Sequence, residues 1–323
     1  MRDTAVKDRR SALAELQKAT VTTTIAANGM LDPVQSRTFI RTVKEKGVLS
    51  AKMRLETPTA ASGEINKLAT GSRLLRGAPE NTDDGYRAEP TFPTVPYATA
   101  KVRLPWEVTE DVFHENLEGE SLEADLIDEF TQQLALDIED LEVNGDTAAG
   151  AGPDQAFLQI NNGILKLLAT VAGVHRVNGG TINAGAVSKA HFFAAERAMP
   201  NKYRVAGNLV WLMSPNRASK YVEYLSDRAT GTGDAALLSS DTEQLTIRRL
   251  PVIEVPSFPD DRIVLCNPRN FVRVISWQVR RRKVTGDTDW ELATRDKRGY
   301  IFFLKHDVVI EEPDAVVDIY GLV

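Results

Sequence analysis

The stretch SLEADLIDEFTQQLALDIEDLEVNGD, residues 121–146, carries the clearest signal in the chain. Leu122, Leu126, Phe130, Leu134, Ile138 and Leu141 recur at helical spacing and make one apolar stripe. Ser121 suits the N-cap position and Asn144-Gly145 suits a stop. The spacing predicts a helix over 121–143, about 35 Å long at about 1.5 Å per residue.

Its charge is one-sided. Between Glu120 and Glu142 stand Glu120, Glu123, Asp125, Asp128, Glu129, Asp137, Glu139, Asp140 and Glu142, with no Lys or Arg. The early acids suit the helix dipole and the late ones oppose it. Two readings stay open. The acids form a solvated face, or they form a surface that repels a polyanion or receives a basic partner. In either case Asp125, Asp128, Glu129, Asp137 and Asp140 mark the face, opposite the core stripe and without a pocket.

Upstream the chain changes character. Residues 56–97 hold Pro58, Pro79, Pro90, Pro93 and Pro96 with Gly63, Gly71, Gly77 and Gly85 among small polar residues. So little core-forming material cannot bury itself over such a length. This stretch is read as either disordered or an extended arm lying on another molecule. Weak strand patterns near 63–69 and 86–104 suit a long hairpin. Residues 98–109 (ATAKVRLPWEVT) alternate as a strand, with Pro105 arguing for an edge. Before the arm, residues 3–19 read as a basic amphipathic helix, and Asp32-Pro33 opens a second helix that Gly47 ends. The first of these packs on its own domain or docks elsewhere.

Downstream the small-residue stretch 146–156 leads into a mixed α/β pattern. Helices are predicted near 184–199 and 215–226. Strands are predicted at 208–213, 251–255, 262–266, 271–279, 300–304, 307–311 and 315–320. Residues 227–244 read as a loop.

Composition narrows the function classes. The 323 residues are 42% hydrophobic and 26% charged, ordinary globular usage that excludes a wholly disordered, collagen-like or coiled-coil chain. A net charge of -6 gives no global footprint of a nucleic-acid binder. No apolar run approaches the roughly 18 residues of a membrane span. The N-terminus lacks the apolar core of a signal peptide. The lone Cys266 excludes an internal disulfide and reads as buried and inert. With His114, His175, His191 and His306 scattered, zinc held by His and Cys alone is not expected.

Catalytic motifs are absent. There is no phosphate-binding G-x-x-x-x-G-K-[ST], no dinucleotide fingerprint, no G-x-S-x-G and no H-E-x-x-H. No catalytic, cofactor-binding or metal residue is assigned, and no cofactor is expected. The basic run Arg280-Arg281-Arg282-Lys283, if a strand, sends its side chains to alternate faces. That suits ion pairing with acidic neighbours, the acidic helix first among them, better than one phosphate track. A long arm, an acidic helix and a basic strand without a catalytic constellation point to a self-assembling structural protein.

The order of these pieces resembles the tailed-bacteriophage major capsid proteins, whose Hong Kong 97-type fold is also that of encapsulins. Beside the arm and helix, the residues carrying the resemblance are Asn162-Gly163-Ile164-Leu165, MPNKYRVAGNLVWLMSPNRASKYVEYL (199–225), LTIRRLPVIEVPSFPDDRIVLCNPRNFVRVI (245–275) and RDKRGYIFFLKHDVVIEEPDAVVDI (295–319). The resemblance implies an α+β fold. Its parts are an N-terminal arm (1–50), an extended E-loop hairpin (51–97) and a peripheral domain (98–156) with spine helix 121–143. An axial α/β domain (157–294) and closing strands (295–323) follow. It implies a shell subunit that forms hexamers and pentamers of itself around double-stranded DNA. Further implied partners are a separate scaffolding protein, a portal and decoration proteins, with no membrane. The implied location is the virion capsid, assembled in the host cytoplasm. Ile65, Lys67, Leu68, Leu74, Leu75, Arg280, Arg281, Arg282 and Lys283 are the expected inter-subunit contacts.

Two departures from the family pattern matter. Some members join an E-loop Lys to a neighbour's Asn. Here Lys67 is the only lysine between Lys52 and Lys101, and no Asn follows Asn270, so no covalent cross-link is expected. Some members also begin with a long scaffolding segment. Its absence before the arm implies either a separate scaffolding protein or prior cleavage, and Met1 favours the first. An encapsulin-like compartment is the alternative, and a soluble α/β enzyme has no motif to support it.

Overall fold

A computed structural model of the chain describes residues 47–67, 75, 77, 85, 87, 89, 91–115, 122–204, 208–226, 245–276, 280–284 and 296–323. The helices expected at 3–19 and 32–47 and the loop at 227–244 lie outside the described residues. The first elements are β1 (Arg54–Glu56), β2 (Ser62–Asn66), β3 (Thr94–Ala98), β4 (Ala100–Thr109), α1 (Glu110–Glu115) and α2 (Leu122–Asn144). Next come α3 (Gln155–Leu158), α4 (Ile164–Thr170), β5 (His175–Asn178), α5 (Lys189–Ala198), α6 (Asn201–Arg204), β6 (Val210–Met213) and α7 (Pro215–Ser226). The chain closes with β7 (Thr246–Ile247), β8 (Leu250–Glu254), β9 (Ile263–Cys266), β10 (Phe271–Ile275), β11 (Arg280–Val284), β12 (Lys297–Ile310) and β13 (Val317–Tyr320).

The expected spine helix is α2, and its apolar stripe lies on a sheet. That sheet runs β1-β10-β12-β11, with β4 also paired to β12. Tyr300, Phe302 and Leu304 of β12 and Trp106 of β4 meet Leu134 and Ile138 of α2 in one buried cluster. The Trp106 ring stacks on Phe130 at 4.5 Å and on Tyr300 at 5.2 Å. Among the described strands β4 pairs only with β12, so it is an edge, as Pro105 predicts.

The two strands expected at 300–304 and 307–311 are one. Lys305-His306 looks like a polar interruption, but a strand alternates its faces. His306 turns inward to a buried partner and Lys305 turns outward, so the ladder continues through them.

The second sheet runs β5-β13-β9-β6-β8-β7. Every residue of β6 and β9 is buried. Its one face meets Phe192 of α5 and Tyr221 of α7 around Trp211. Its other face packs Leu212, Val264 and Cys266 against Ile164 and Leu168 of α4 and against Phe271, Val308 and Ile310 of the first sheet. The two sheets therefore share a core. Strands β10 and β11 belong to the first sheet with β4 and β12, and β13 returns to the second. The apolar run at 271–275 looks like its neighbours at 263–266, and only pairing reveals which sheet it joins.

The expected hairpin forms from β2 and β3, with Ile65 opposite Val95 and Gly63 opposite Tyr97. Its base does bury itself. Ile65, Val95 and Tyr97 pack on Val272, Val274 and Val309 of the first sheet. The tip residues 68–74, 76 and 78–84 lie outside the described residues.

The stop of α2 has a different cause from the one its sequence suggests. Gly145 is not among the glycines with positive φ. It is small because α4 begins against it. Gly163 N donates to Gly145 O at 2.7 Å, and a Cβ on Gly145 would collide with the Asn161 carbonyl oxygen just ahead of α4. Gly145→Ala is therefore expected to destabilise the subunit by about 1–3 kcal/mol, as overpacking of a tight contact does. Denaturant unfolding of the unassembled subunit checks it, and an unchanged midpoint would refute the close-approach reading.

Candidate assembly surfaces and the buried carboxylate that anchors them

Two of the nine acids near the spine helix are not on its surface. Glu139 is 3% exposed and Glu142 is 0% exposed. This corrects the expectation that all of them lie opposite the core. Near the C-terminus of α2 the helix passes under both the turn 47–53 and the first sheet, so the helix has core on two sides there.

Glu142 is shared by three distant parts of the chain. Its Oε1 accepts from His306 Nε2 at 2.9 Å and forms an ion pair with Arg273 Nε. Its Oε2 accepts from Ser50 Oγ at 2.8 Å. Arg273 and His306 are themselves buried, on β10 and β12. Glu139 Oε2 accepts from the backbone N–H of Leu49 and of Ser50, each at 3.1 Å. Burial opposes ionisation of Glu142, but Arg273, His306 and Ser50 outweigh it and hold its carboxyl below the ordinary 4.5. Glu139 has no cation so placed. Burial, helped by the negative Glu142, pushes its carboxyl above the ordinary 4.5 against the pull of Ser50 and Leu49.

This cluster pins the turn from which the hairpin departs. A second tie sits at the far end of β12. Arg54 Nη1 meets Glu311 Oε2 at 2.6 Å. Lys67 Nζ donates to the Glu311 carbonyl oxygen and lies 3.6 Å from Glu312 Oε2. Tyr203 Oη donates to Glu312 Oε1 at 2.7 Å.

The residues expected at inter-subunit contacts fall into groups. Ile65 and Lys67 are engaged within their own chain, as above. Leu75 is 97% exposed, and Leu68 and Leu74 lie outside the described residues. Arg280, Arg281, Arg282 and Lys283 do form a strand, β11. Lys283 Nζ meets both carboxylate oxygens of Glu123 on α2, at 2.8 and 2.7 Å. Asp125, Asp128 and Glu129 are exposed, while Asp137 and Asp140 are half-buried. Leu136 stands 54% exposed on α2 as well. Asp137 and Asp140 line a cavity of about 650 Å³ with Asn144, Asp154, Phe157 and Leu158, so the acids do border a pocket. Asp154, Phe157 and Leu158 at α3 form the other wall of this open depression, which no periodicity in the helix reveals.

Among the described residues no group of three His, Cys, Asp or Glu could hold a metal ion. No described helix is long and apolar enough to cross a membrane. Cys266 is buried, and burial drives its thiol pKa up. His191 is buried as part of the capping box that starts α5.

No family model matches the chain. It is 27% identical over 321 residues to the protein assigned as prophage capsid protein YqbE of Bacillus subtilis (strain 168), covering 94% of this chain and 96% of that one. A chain of the satellite phage P4 procapsid that includes the size determination (Sid) protein superposes with a TM-score of 0.69 at 14% identity, over 97% of this chain and 98% of the other. A chain of Gordonia phage Cozz gives 0.58 at 15% identity, over 86% of each. The SrpI encapsulin of Synechococcus elongatus PCC 7942 gives 0.54 at 11% identity, over 87% and 89%. The chain has the mixed α+β, Hong Kong 97-type capsid fold.

The two buried carboxylates predict opposite pH behaviour. Glu142 is depressed in the folded state, so its contribution is present above pH 4.5 and lost as pH falls through its lower folded value. Glu139 is raised, so its contribution is full below pH 4.5 and is lost as pH rises through its folded value. Glu139→Gln is therefore expected to gain stability relative to the parent from pH 4.5 upward, and a pH-flat difference in unfolding free energy would refute it. Glu142→Gln strands Arg273 and is expected to cost about 3–5 kcal/mol. Pairing Glu142→Leu with Arg273→Met is expected to cost less than Glu142→Gln alone, because no buried charge is then left over.

Proposed function

We propose that this protein is the major capsid protein of a tailed bacteriophage, a structural subunit that self-assembles as hexamers and pentamers into an icosahedral shell around double-stranded DNA. The observation that carries this reading is the end-to-end match to a prophage capsid protein, 94% of one chain on 96% of the other, by a chain with the capsid fold. The absence of catalytic motifs agrees with a structural role. An encapsulin-like compartment is the second reading, favoured by the likeness to the SrpI shell, which is weaker at a TM-score of 0.54 against 0.69.

In this reading the arm 1–50 and the E-loop 51–97 reach neighbours by strand-type and apolar contacts. Leu68, Leu74 and Leu75 are its apolar anchors. The peripheral domain is 98–156 completed by β10, β11 and β12, and the axial domain is built on the second sheet. A separate scaffolding protein, a portal and decoration proteins are the partners, and assembly takes place in the host cytoplasm. The spine acids Asp125, Asp128, Glu129, Asp137 and Asp140 face the packaged DNA and limit sticking to it, since phosphate contacts give affinity regardless of sequence. Reversing them to Lys is expected to impair packaging or assembly, and a variant normal in both would end that part of the reading.

Negative-stain electron microscopy of the protein, alone and co-expressed with a small helical neighbour from its gene cluster, is expected to show shells, tubes or capsomer rings. A monodisperse monomer or dimer in both preparations would overturn the shell reading. Particles filled with an enzyme rather than DNA would move it to the compartment. No covalent cross-link is proposed, because Lys67 is occupied within its own chain by Glu311 and Glu312. Boiled particles should run on a denaturing gel as the 35.6 kDa monomer, and a ladder would refute this.

A further inference from the structure

A second pocket lies where the two sheets meet. Its volume is about 340 Å³, within the range of small-molecule sites. Arg54 of β1, Asn270 ahead of β10 and Glu311 just past β12 line it from the side of the first sheet. Tyr203 of α6 and Leu209 ahead of β6 line it from the side of the second. These two pack with the buried cluster around Trp211. With Ala315 they make the exposed lining mostly apolar.

The walls are tied together by the chain itself. Asn270 Nδ2 donates to the Glu312 carbonyl oxygen at 2.8 Å, and Glu312 N donates to Asn270 Oδ1 at 2.7 Å. Tyr203 Oη donates to Glu312 Oε1, and Arg54 Nη1 donates to Glu311 Oε2. The pair Glu311-Glu312 thus holds the other three walls. Asn267 Oδ1 accepts from Arg269 N at 3.1 Å and shapes the turn Pro268–Asn270. A pocket held this way is largely formed before a ligand enters.

The capacity left over has one sign. Glu311 meets Arg54 and Glu312 meets Lys67, so each lining carboxylate has its cation. Arg269 lines the pocket and is exposed, and among the described residues it has no ion-pair partner. The Asn267 side-chain amide has no acceptor among them either, and both groups are donors. The exposed Asp314 is not a lining residue, and its charge acts on Lys202.

We propose that this pocket binds a small monocarboxylate with an aliphatic or aromatic body, its carboxylate on Arg269 and Asn267 and its body against Tyr203, Leu209 and Ala315. The guanidinium fork matches a carboxylate with two parallel hydrogen bonds. A doubly charged phosphate fits less well, because Glu311 and Glu312 stand in the same lining and like charges repel. A ligand so placed touches both sheets at once. Binding to the folded chain alone raises its stability by mass action. The inference goes beyond the shell reading and does not rest on it.

Titration calorimetry and thermal unfolding of the full-length protein test it, with octanoate as the probe and octanol as its neutral analogue. Octanoate is expected to bind saturably at one site per chain and to raise the unfolding midpoint. Octanol is expected to bind about tenfold more weakly, the usual weight of a hydrogen bond to a charged group. Arg269→Gln is expected to raise the octanoate Kd about tenfold and to leave octanol unchanged. Arg269 is exposed, so the midpoint of this variant without ligand should match the parent. Ala315→Leu fills the pocket and is expected to abolish octanoate binding with Arg269 intact. The absence of saturable octanoate binding overturns the proposal. So does octanoate binding that both variants leave unchanged, since the ligand then sits elsewhere. Equal binding of octanoate and octanol to the parent overturns the carboxylate class.

Discussion

One buried carboxylate, that of Glu142, constrains most of the first sheet. A charge removed from water must find partners close by, and here they come from three separate stretches of chain. Arg273 is on β10, His306 is on β12 and Ser50 is in the turn ahead of β1. An apolar contact between α2 and the sheet would tolerate sliding by part of a residue. A carboxylate shared between two strands and a turn does not. Such clusters are weak evidence for added stability, because burying the charges costs about as much as pairing them returns. What this one contributes is position. It fixes α2 against β10 and β12, and it holds the turn at 47–53 where β1 and then the hairpin begin.

Glycine completes that constraint around the C-terminal end of α2. A side chain on Gly47 would collide with the Glu139 carboxylate, so the turn can close over the helix only because that position is bare. Gly145 and Gly163 let the end of α2 and the start of α4 touch through their backbones. The end of α2 and the start of α4 thus meet at a close corner, and the shared core of Ile164, Leu168, Phe271 and Val308 fills in behind it.

The sequence made the periodic parts of this legible. The stripe from Leu122 to Leu141, the alternation of 98–109 and the edge position of Pro105 follow from spacing alone. The hairpin was visible as two weak strand patterns around a proline-rich stretch. What stayed hidden depends on pairing between distant residues. Glu139 and Glu142 read as two more solvated acids, because no local pattern marks them as facing Arg273, His306 and Ser50 more than 80 residues away. Lys305-His306 read as a break for the same reason. The strand 271–275 read as axial because its apolar content matches that of 263–266. Lys283 is the opposite case. A basic strand and an acidic helix in one chain suggest each other, and the pair Lys283–Glu123 needed only the register of β11 to realise it.

The long strand β12 ties these features into one mechanical element. Within it, His306 belongs to the buried cluster and Lys305 faces the other way, one residue apart and on opposite faces. Just past its end, Glu311 and Glu312 hold Arg54 and Lys67 at the two ends of the chain leading into the hairpin. The point at which the hairpin leaves the sheet is therefore set by the strand that also carries His306 of the buried cluster. That point cannot shift along β12 without disturbing a buried charge.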